Sequence, residues 1–214
     1  KLATGLGPAP LVANAERVGS CLAYQVVQHG WTRLHLVVHS LGSWVANSLT
    51  SQQLELELDT HQHVATHITF LDSYSPWILV EGVHPKWAFD ELGKFADFAE
   101  QYYHSGGLSG PATDYQLKNA CNYVLDKLGT ITGADGKDVD SHGFPIVWYR
   151  GTVYRAGPDA RGFPLSAERT GSMPTYSSCT KGGQQTISWQ LGLSPSTTLA
   201  KVGESVRLTV TTNY

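Results

Sequence analysis

Charge is scarce in this chain. Asp, Glu, Lys and Arg make up 15% of its 214 residues, well below the roughly 25% of an average soluble protein. Lys+Arg total 15 against 18 Asp+Glu, for a net charge of -3, and no basic cluster is present. Nothing in the chain would drive binding to a phosphate backbone, so a nucleic-acid partner is not expected. No uninterrupted apolar run approaches the ~18 residues of a membrane span, so no transmembrane segment is expected either. The 3 cysteines, Cys21, Cys121 and Cys179, are too few and too far apart for a disulfide scaffold or a Cys-x-x-Cys metal knuckle, although one pair can still form. Residue 1 is Lys, with no Met and no charged-then-apolar leader behind it, so the start reads as that of a fragment or a processed chain.

What is present suits a folded domain. Hydrophobic residues make up 41% of the chain, with 6 Trp, 10 Tyr, 6 Phe and 22 Gly, enough apolar surface to bury a core and to exclude disorder. The length allows one domain, or one domain with an appendage.

Hydrophobic spacing organises the first third. Leu11, Ala15, Val18, Leu22 and Val26 recur at intervals of three and four, which predicts a helix over 11–28 with those residues on its buried face. Pro10 lies near its start and Gly30 just past its end. Residues 34–38 (LHLVV) have the apolar, β-branched look of a strand buried on both faces. A second helix follows, with Leu41, Trp44, Val45, Leu49, Gln53 and Leu56 as its stripe, and then a second buried strand, Ile68-Thr69-Phe70-Leu71, ending at Asp72. Alternation of helix and strand predicts an α/β domain with a mostly parallel sheet. Further strands are expected within 95–103 and 122–125, and a helix started by Pro145 within 142–154. The composition turns to Gly, Ser, Thr and Pro after Gly157. A boundary is therefore placed there, with 1–156 as the main domain and 157–214 as a β-like tail whose residues 205–211 alternate like a strand.

The strongest chemical signal is Val38-His39-Ser40-Leu41-Gly42, set between a buried strand and a helix. A serine at such a turn projects its hydroxyl above the C-terminal edge of the sheet, and the next backbone N–H, of Leu41, can point at an oxyanion. Gly42 is expected where helix and strand backbones come close, while Val38 stands where the usual Gly-x-Ser-x-Gly pattern has its first glycine. The bland alternative is a strand-to-helix turn with Ser as an N-cap. A serine hydroxyl is a weak nucleophile and needs an imidazole to take its proton and a carboxylate to orient that imidazole. In this architecture the chain order is Ser, acid, His. Asp72, ending the next strand at the same sheet edge, is the expected acid, with Asp126, Asp97 and Asp114 as rivals. Of the 9 His, order leaves His84, His104 and His142 as bases, and His142 is preferred because its polar loop follows the last candidate strand. His61, His63 and His67 lack the fixed partners of a metal site, and a solvated loop is the preferred reading.

Residues 35–47 (HLVVHSLGSWVAN), the strand end Thr69-Phe70-Leu71-Asp72 and the run His142-Gly-Phe-Pro-x-x-Trp-Tyr together resemble the α/β-hydrolase superfamily, in particular its bacterial lipase-like and esterase-like members. The resemblance covers about residues 10–155. It implies a mostly parallel sheet flanked by helices, with N-terminal strands missing from this chain and a second oxyanion donor upstream of residue 1. It further implies a serine ester hydrolase that works through an acyl-enzyme and needs no cofactor or metal, with Ser40, Asp72 and His142 as the triad and Leu41 as an oxyanion donor. The expected partner is a small-molecule or lipid ester. Tyr74, Trp77, Ile78 and Leu79 are candidates for an acyl pocket. Alternatives are a non-catalytic binding module on the same fold, or an acyltransferase or amidase with the same triad. Low charge and the Thr/Ser-rich tail suit a secreted or periplasmic protein.

Overall fold

The computed structural model describes residues 8–75, 86–105, 115–129, 137–153 and 161–188, together with the backbone of 190–191 and 212–213. Helix α1 (Pro8–Gln28) leads into strand β1 (Arg33–Ser40), helix α2 (Gly42–Thr60), strand β2 (Ala65–Ser73) and the short helix α3 (Lys86–Glu91). Strands β3 (Phe98–Tyr103) and β4 (Cys121–Lys127), helices α4 (Phe144–Thr152) and α5 (Ala167–Thr170) and strand β5 (Gln184–Ser188) follow. These five strands form one all-parallel sheet in the order β1-β2-β3-β4-β5, and residues 190–191 and 212–213 pair separately as a short antiparallel ladder. This is the α/β fold with a parallel sheet that the helix-strand alternation predicts.

Strand alternation divides the side chains between two cores. Ile68, Phe70 and Ala99 join Val12 and Ala15 of α1 and Trp44 and Ala46 of α2 on one face. Leu71, Phe98, Tyr102, Tyr123 and Leu125 meet Phe144, Trp148 and Tyr149 of α4 on the other. The second face also buries a carboxylate. Glu100 Oε1 accepts the Thr69 hydroxyl at 2.9 Å and lies 3.3 Å from His67 Nε2, while Oε2 accepts the Tyr102 hydroxyl at 2.6 Å. A carboxyl group out of water requires such partners.

Three local expectations are corrected. The buried face of α1 is Val12, Ala15, Gly19, Ala23 and Val26, whereas Val18 and Leu22 are 52% and 41% exposed. Small residues win because α1 and α2 approach closely: a Cβ on Gly19 would lie 2.2 Å from the Val45 carbonyl oxygen, and the Ser20 and Ser48 hydroxyls meet at 2.9 Å across the crossing. Strand β1 is not buried on both faces. It ends the sheet order, and Val37, on the α4 side, is 45% exposed, since α4 packs over β2 and β3. At Gly42 no close approach demands glycine, because an added Cβ would meet Val38 Cβ at 3.5 Å, an ordinary contact.

The composition change at 157 falls in residues 154–160, outside the described residues. Beyond it the chain returns to the same sheet: β5 pairs in parallel with β4, Phe163, Tyr176 and Ile187 pack on the α4-side core, and Cys179 is disulfide-bonded to Cys121 of β4. Cys21 is exposed and unpaired. The strand expected within 205–211 also lies outside the described residues. No helix among the described residues is long and apolar enough to cross a membrane.

Candidate active site

The ends of β1 and β2 build the site. Only Leu41 separates β1 from α2, so the chain must turn at Ser40, and it does so with φ +52°, in the left-handed region that side chains other than glycine enter only at a cost. Leu41 is already helical (φ −58°, ψ −24°) and places its N–H at the start of α2. The Ser40 carbonyl accepts two hydrogen bonds, from the Ser43 hydroxyl at 2.6 Å and from the Tyr74 N–H at 3.1 Å. Trp44 Nε1 donates to the Tyr74 carbonyl at 2.9 Å. The turn is thus fastened to the chain just beyond β2, and Ser40 is held in its strained conformation by its surroundings.

Asp72 is placed by an irregularity in the same ladder. His39 pairs with Leu71, but Ser40 pairs with Ser73, so Asp72 is the extra residue of a β-bulge and has φ +49°. Bulges re-aim side chains at strand ends. The aspartate side chain, 1% exposed, meets the ring of His142: Nδ1 lies 2.5 Å from Oδ2, a short charge-assisted contact in which the carboxylate accepts. With Nδ1 committed to Asp72, Nε2 is the nitrogen through which the ring can exchange a proton. The ring is 28% exposed and so remains reachable. His142 sits in a turn tied by Asp140, whose backbone carbonyl accepts the Phe144 N–H at 2.9 Å and whose Oδ1 accepts the Gly143 N–H at 2.5 Å. That turn starts α4, with Pro in its first turn as the sequence predicts.

Ser40 and Asp72 therefore lie at the ends of neighbouring strands, and the turn before α4 brings His142 onto Asp72. His39, the residue before Ser40, has its ring centroid 4.2 Å from that of His142, and its Nε2 lies 3.0 Å from the His142 carbonyl oxygen. Burial holds the His39 pKa below the usual imidazole value, against the hydrogen bond to the His142 carbonyl, which raises it.

The other acids are used elsewhere. Asp97 lies just before β3, at the opposite end of the sheet, where Oδ2 accepts the Thr66 N–H at 2.7 Å. Asp126, near the end of β4, accepts the Ser105 N–H at 2.7 Å as well as the Ser105 hydroxyl, and lies 3.6 Å from His104 Nδ1. Asp114, His84, Trp77, Ile78 and Leu79 lie outside the described residues. Among the described residues no group of three or more His, Cys, Asp or Glu is arranged to hold a metal ion. His61 ends α2 in the left-handed conformation, His63 bridges Glu57 and Asp97, and His67 is buried with its ring stacked on His35 at 4.0 Å.

Sequence reasoning missed the contact of His39 with His142 and the Ser43 hydroxyl that fastens Ser40. The first joins residues 103 apart in the chain and leaves no local trace. The second is a local i, i+3 pattern, legible in Ser40-Leu41-Gly42-Ser43 as a hydroxyl able to bond back to a nearby carbonyl. Set beside protein-family models, curated proteins and solved structures, the chain matches none.

Proposed function

We propose that this protein is a serine-dependent carboxylic ester hydrolase of the α/β-hydrolase type, similar to lipases and esterases. The observation that carries the reading is the 2.5 Å contact between the buried Asp72 carboxylate and His142 Nδ1, at the strand end next to a serine held at φ +52°. A strained serine between a strand and a helix is the geometry that exposes a nucleophilic hydroxyl, and a carboxylate on Nδ1 selects the tautomer in which Nε2 accepts a proton.

In the proposed reaction Ser40 Oγ attacks the acyl carbonyl carbon while its proton passes to His142 Nε2. Asp72 stabilises the imidazolium, and the Leu41 N–H at the start of α2 donates to the oxyanion. Collapse of the tetrahedral intermediate breaks the ester C–O bond, and the proton on Nε2 goes to the departing alkoxide. Water, deprotonated by the same nitrogen, then attacks the acyl-Ser40 ester, and as the acyl C–Oγ bond breaks the proton on Nε2 returns to Ser40 Oγ and the acid leaves. No cofactor takes part. Scarce charge in the chain fits a neutral ester, and the Cys121–Cys179 disulfide fits a secreted or periplasmic setting, where such bonds persist.

The test is hydrolysis of short and medium p-nitrophenyl esters by the wild-type chain and by Ser40→Ala, alongside labelling with a fluorophosphonate that reacts only with activated serines. Loss of both turnover and labelling in Ser40→Ala is expected. Turnover that survives the substitution removes the mechanism, and a wild-type chain that neither turns over nor labels is a binding module on this fold.

A further inference from the structure

His39 plays no part in the reaction just described, yet it lies against the proposed base and bonds to its backbone. It precedes Ser40 on β1, and strand alternation sends its side chain to the α4 side of the sheet, where the turn carrying His142 lies. Its Nε2 is 3.0 Å from the His142 backbone carbonyl. A carbonyl oxygen only accepts, so Nε2 carries the hydrogen whatever the charge of the ring. We propose that His39 is a positioning residue: its Nε2–H pins the backbone of His142 so that the imidazole stays in register with the Ser40 hydroxyl. The proposal rests on the hydrolase reading above.

The geometry explains why a second tether matters. Asp72 holds one ring nitrogen, which sets the tautomer and one direction of the ring. A loop residue held by its side chain alone can still shift its backbone and carry the ring off line, and misplacement by about 1 Å costs on the order of 10²-fold in rate. His39 fixes the other end of the same residue. His142 is then held from two strands, at Nδ1 by Asp72 of β2 and at its carbonyl by His39 of β1. Because the pin and the nucleophile are adjacent residues, any displacement of the end of β1 moves both, and the base follows the serine. The His39 ring also lies tilted at 42° against that of His142, with centroids 4.2 Å apart. Burial lowers its pKa and so disfavours a positive charge on the ring that faces His142.

Two variants separate positioning from packing. His39→Ala removes the donor, whereas His39→Gln replaces it with an amide N–H that reaches about as far as the imidazole Nε2. Ester turnover by His39→Ala should show kcat reduced about 10- to 100-fold, with KM within about twofold and the thermal midpoint little changed. His39→Gln should recover most of the loss. Unchanged kcat in His39→Ala, or equal impairment of the Ala and Gln variants, overturns the proposal. Should His39→Ala fail to fold, His39→Phe keeps the volume and donates nothing, and the same two comparisons decide.

A proton NMR measurement decides independently of turnover. The hydrogen-bonded Nδ1 proton of His142, identified by its disappearance in Asp72→Asn, should be broadened by solvent exchange in His39→Ala and stay sharp in His39→Gln. An unbroadened resonance in His39→Ala overturns the pin. If Ser40→Ala leaves turnover intact, the hydrolase reading fails while this measurement still reports on His39.

Discussion

The carboxylate of Asp72 and the ring of His142 meet at 2.5 Å across 70 residues of chain. Asp72 sits at the C-terminal end of β2, fully buried and displaced by one residue from the ladder that joins β1 to β2. Burying a carboxylate is costly without a partner, so the turn that starts α4 must deliver one. Fold and site are coupled here, because the contact that satisfies Asp72 is also the one that orients His142.

Replacing Asp72 by Asn should separate the two roles. The amide fills the same space but can present an N–H to Nδ1, which favours the tautomer with the proton on the wrong nitrogen. A fall in kcat of about 10⁴-fold is expected, with near-UV circular dichroism showing that the fold is kept. A fall of less than tenfold in a folded variant would remove Asp72 from the reaction and direct attention to Asp126.

Much of this was legible in the sequence, and the misses share a cause. The strand-turn-helix around Ser40, the strand ending at Asp72 and the helix opened by Pro145 are local patterns, and spacing and turn chemistry suffice for them. Side-chain partners across the sheet are another matter. Nothing in the residues around His67 or Glu100 says that they meet in the core, and a buried glutamate in a strand looks like a solvated one until its partners are known. The face of α1 was misread for a related reason. Val18 and Leu22 are the larger apolar residues, but the depth of the α1/α2 crossing selects Ala15, Gly19 and Ala23. Periodicity locates a helix well and its buried face less well when a neighbouring backbone comes close.

That crossing predicts opposite outcomes at two glycines. In Gly19→Ala the new methyl would stand 2.2 Å from the Val45 carbonyl oxygen and 2.9 Å from the Leu49 nitrogen. Both are backbone atoms of α2, so the helices must separate, and a loss of about 1–3 kcal/mol or more is expected. Gly42→Ala adds only an ordinary contact with Val38 and gains helix propensity. Urea denaturation should give a lower midpoint for the first and an unchanged or higher one for the second. Equal midpoints would contradict the close packing at Gly19.

His63 predicts a pH dependence of definite sign. Its Nδ1 lies 2.8 Å from Glu57 and its Nε2 3.3 Å from Asp97, and its pKa is raised, chiefly by the hydrogen bond to Glu57. The folded state therefore holds the proton more tightly than the unfolded chain does. The resulting stability is fully present below the unfolded value of about 6.5 and is lost as pH rises through the folded value. His35, whose pKa is lowered mainly by burial, acts in the opposite sense as pH falls, so the comparison must isolate one residue. The urea midpoint of His63→Gln should fall below that of the wild type at pH 5.5, and the two should converge at pH 8.5. The side chain is 62% exposed, so the gap should be small and should shrink in high salt. A gap that widens with pH would reverse the assignment.

Strain at Ser40 gives the most direct link between stability and function. At φ +52°, a residue with a Cβ pays about 1–2 kcal/mol relative to one without. The bonds that hold the turn, from Ser43 and Tyr74 to the Ser40 carbonyl, use only its backbone. They survive any substitution there. Ser40→Ala and Ser40→Gly both remove the hydroxyl, but only glycine relieves the strain. Greater freedom of glycine in the unfolded chain offsets part of that gain, by roughly 0.4–1 kcal/mol. The glycine variant should therefore be more stable than the alanine variant by about 1 kcal/mol in urea denaturation, and both should be inactive towards esters. Equal stabilities would mean that the strain only matches the offset, roughly 0.4–1 kcal/mol. A glycine variant less stable than the alanine one by that amount would mean that the turn is not strained at Ser40.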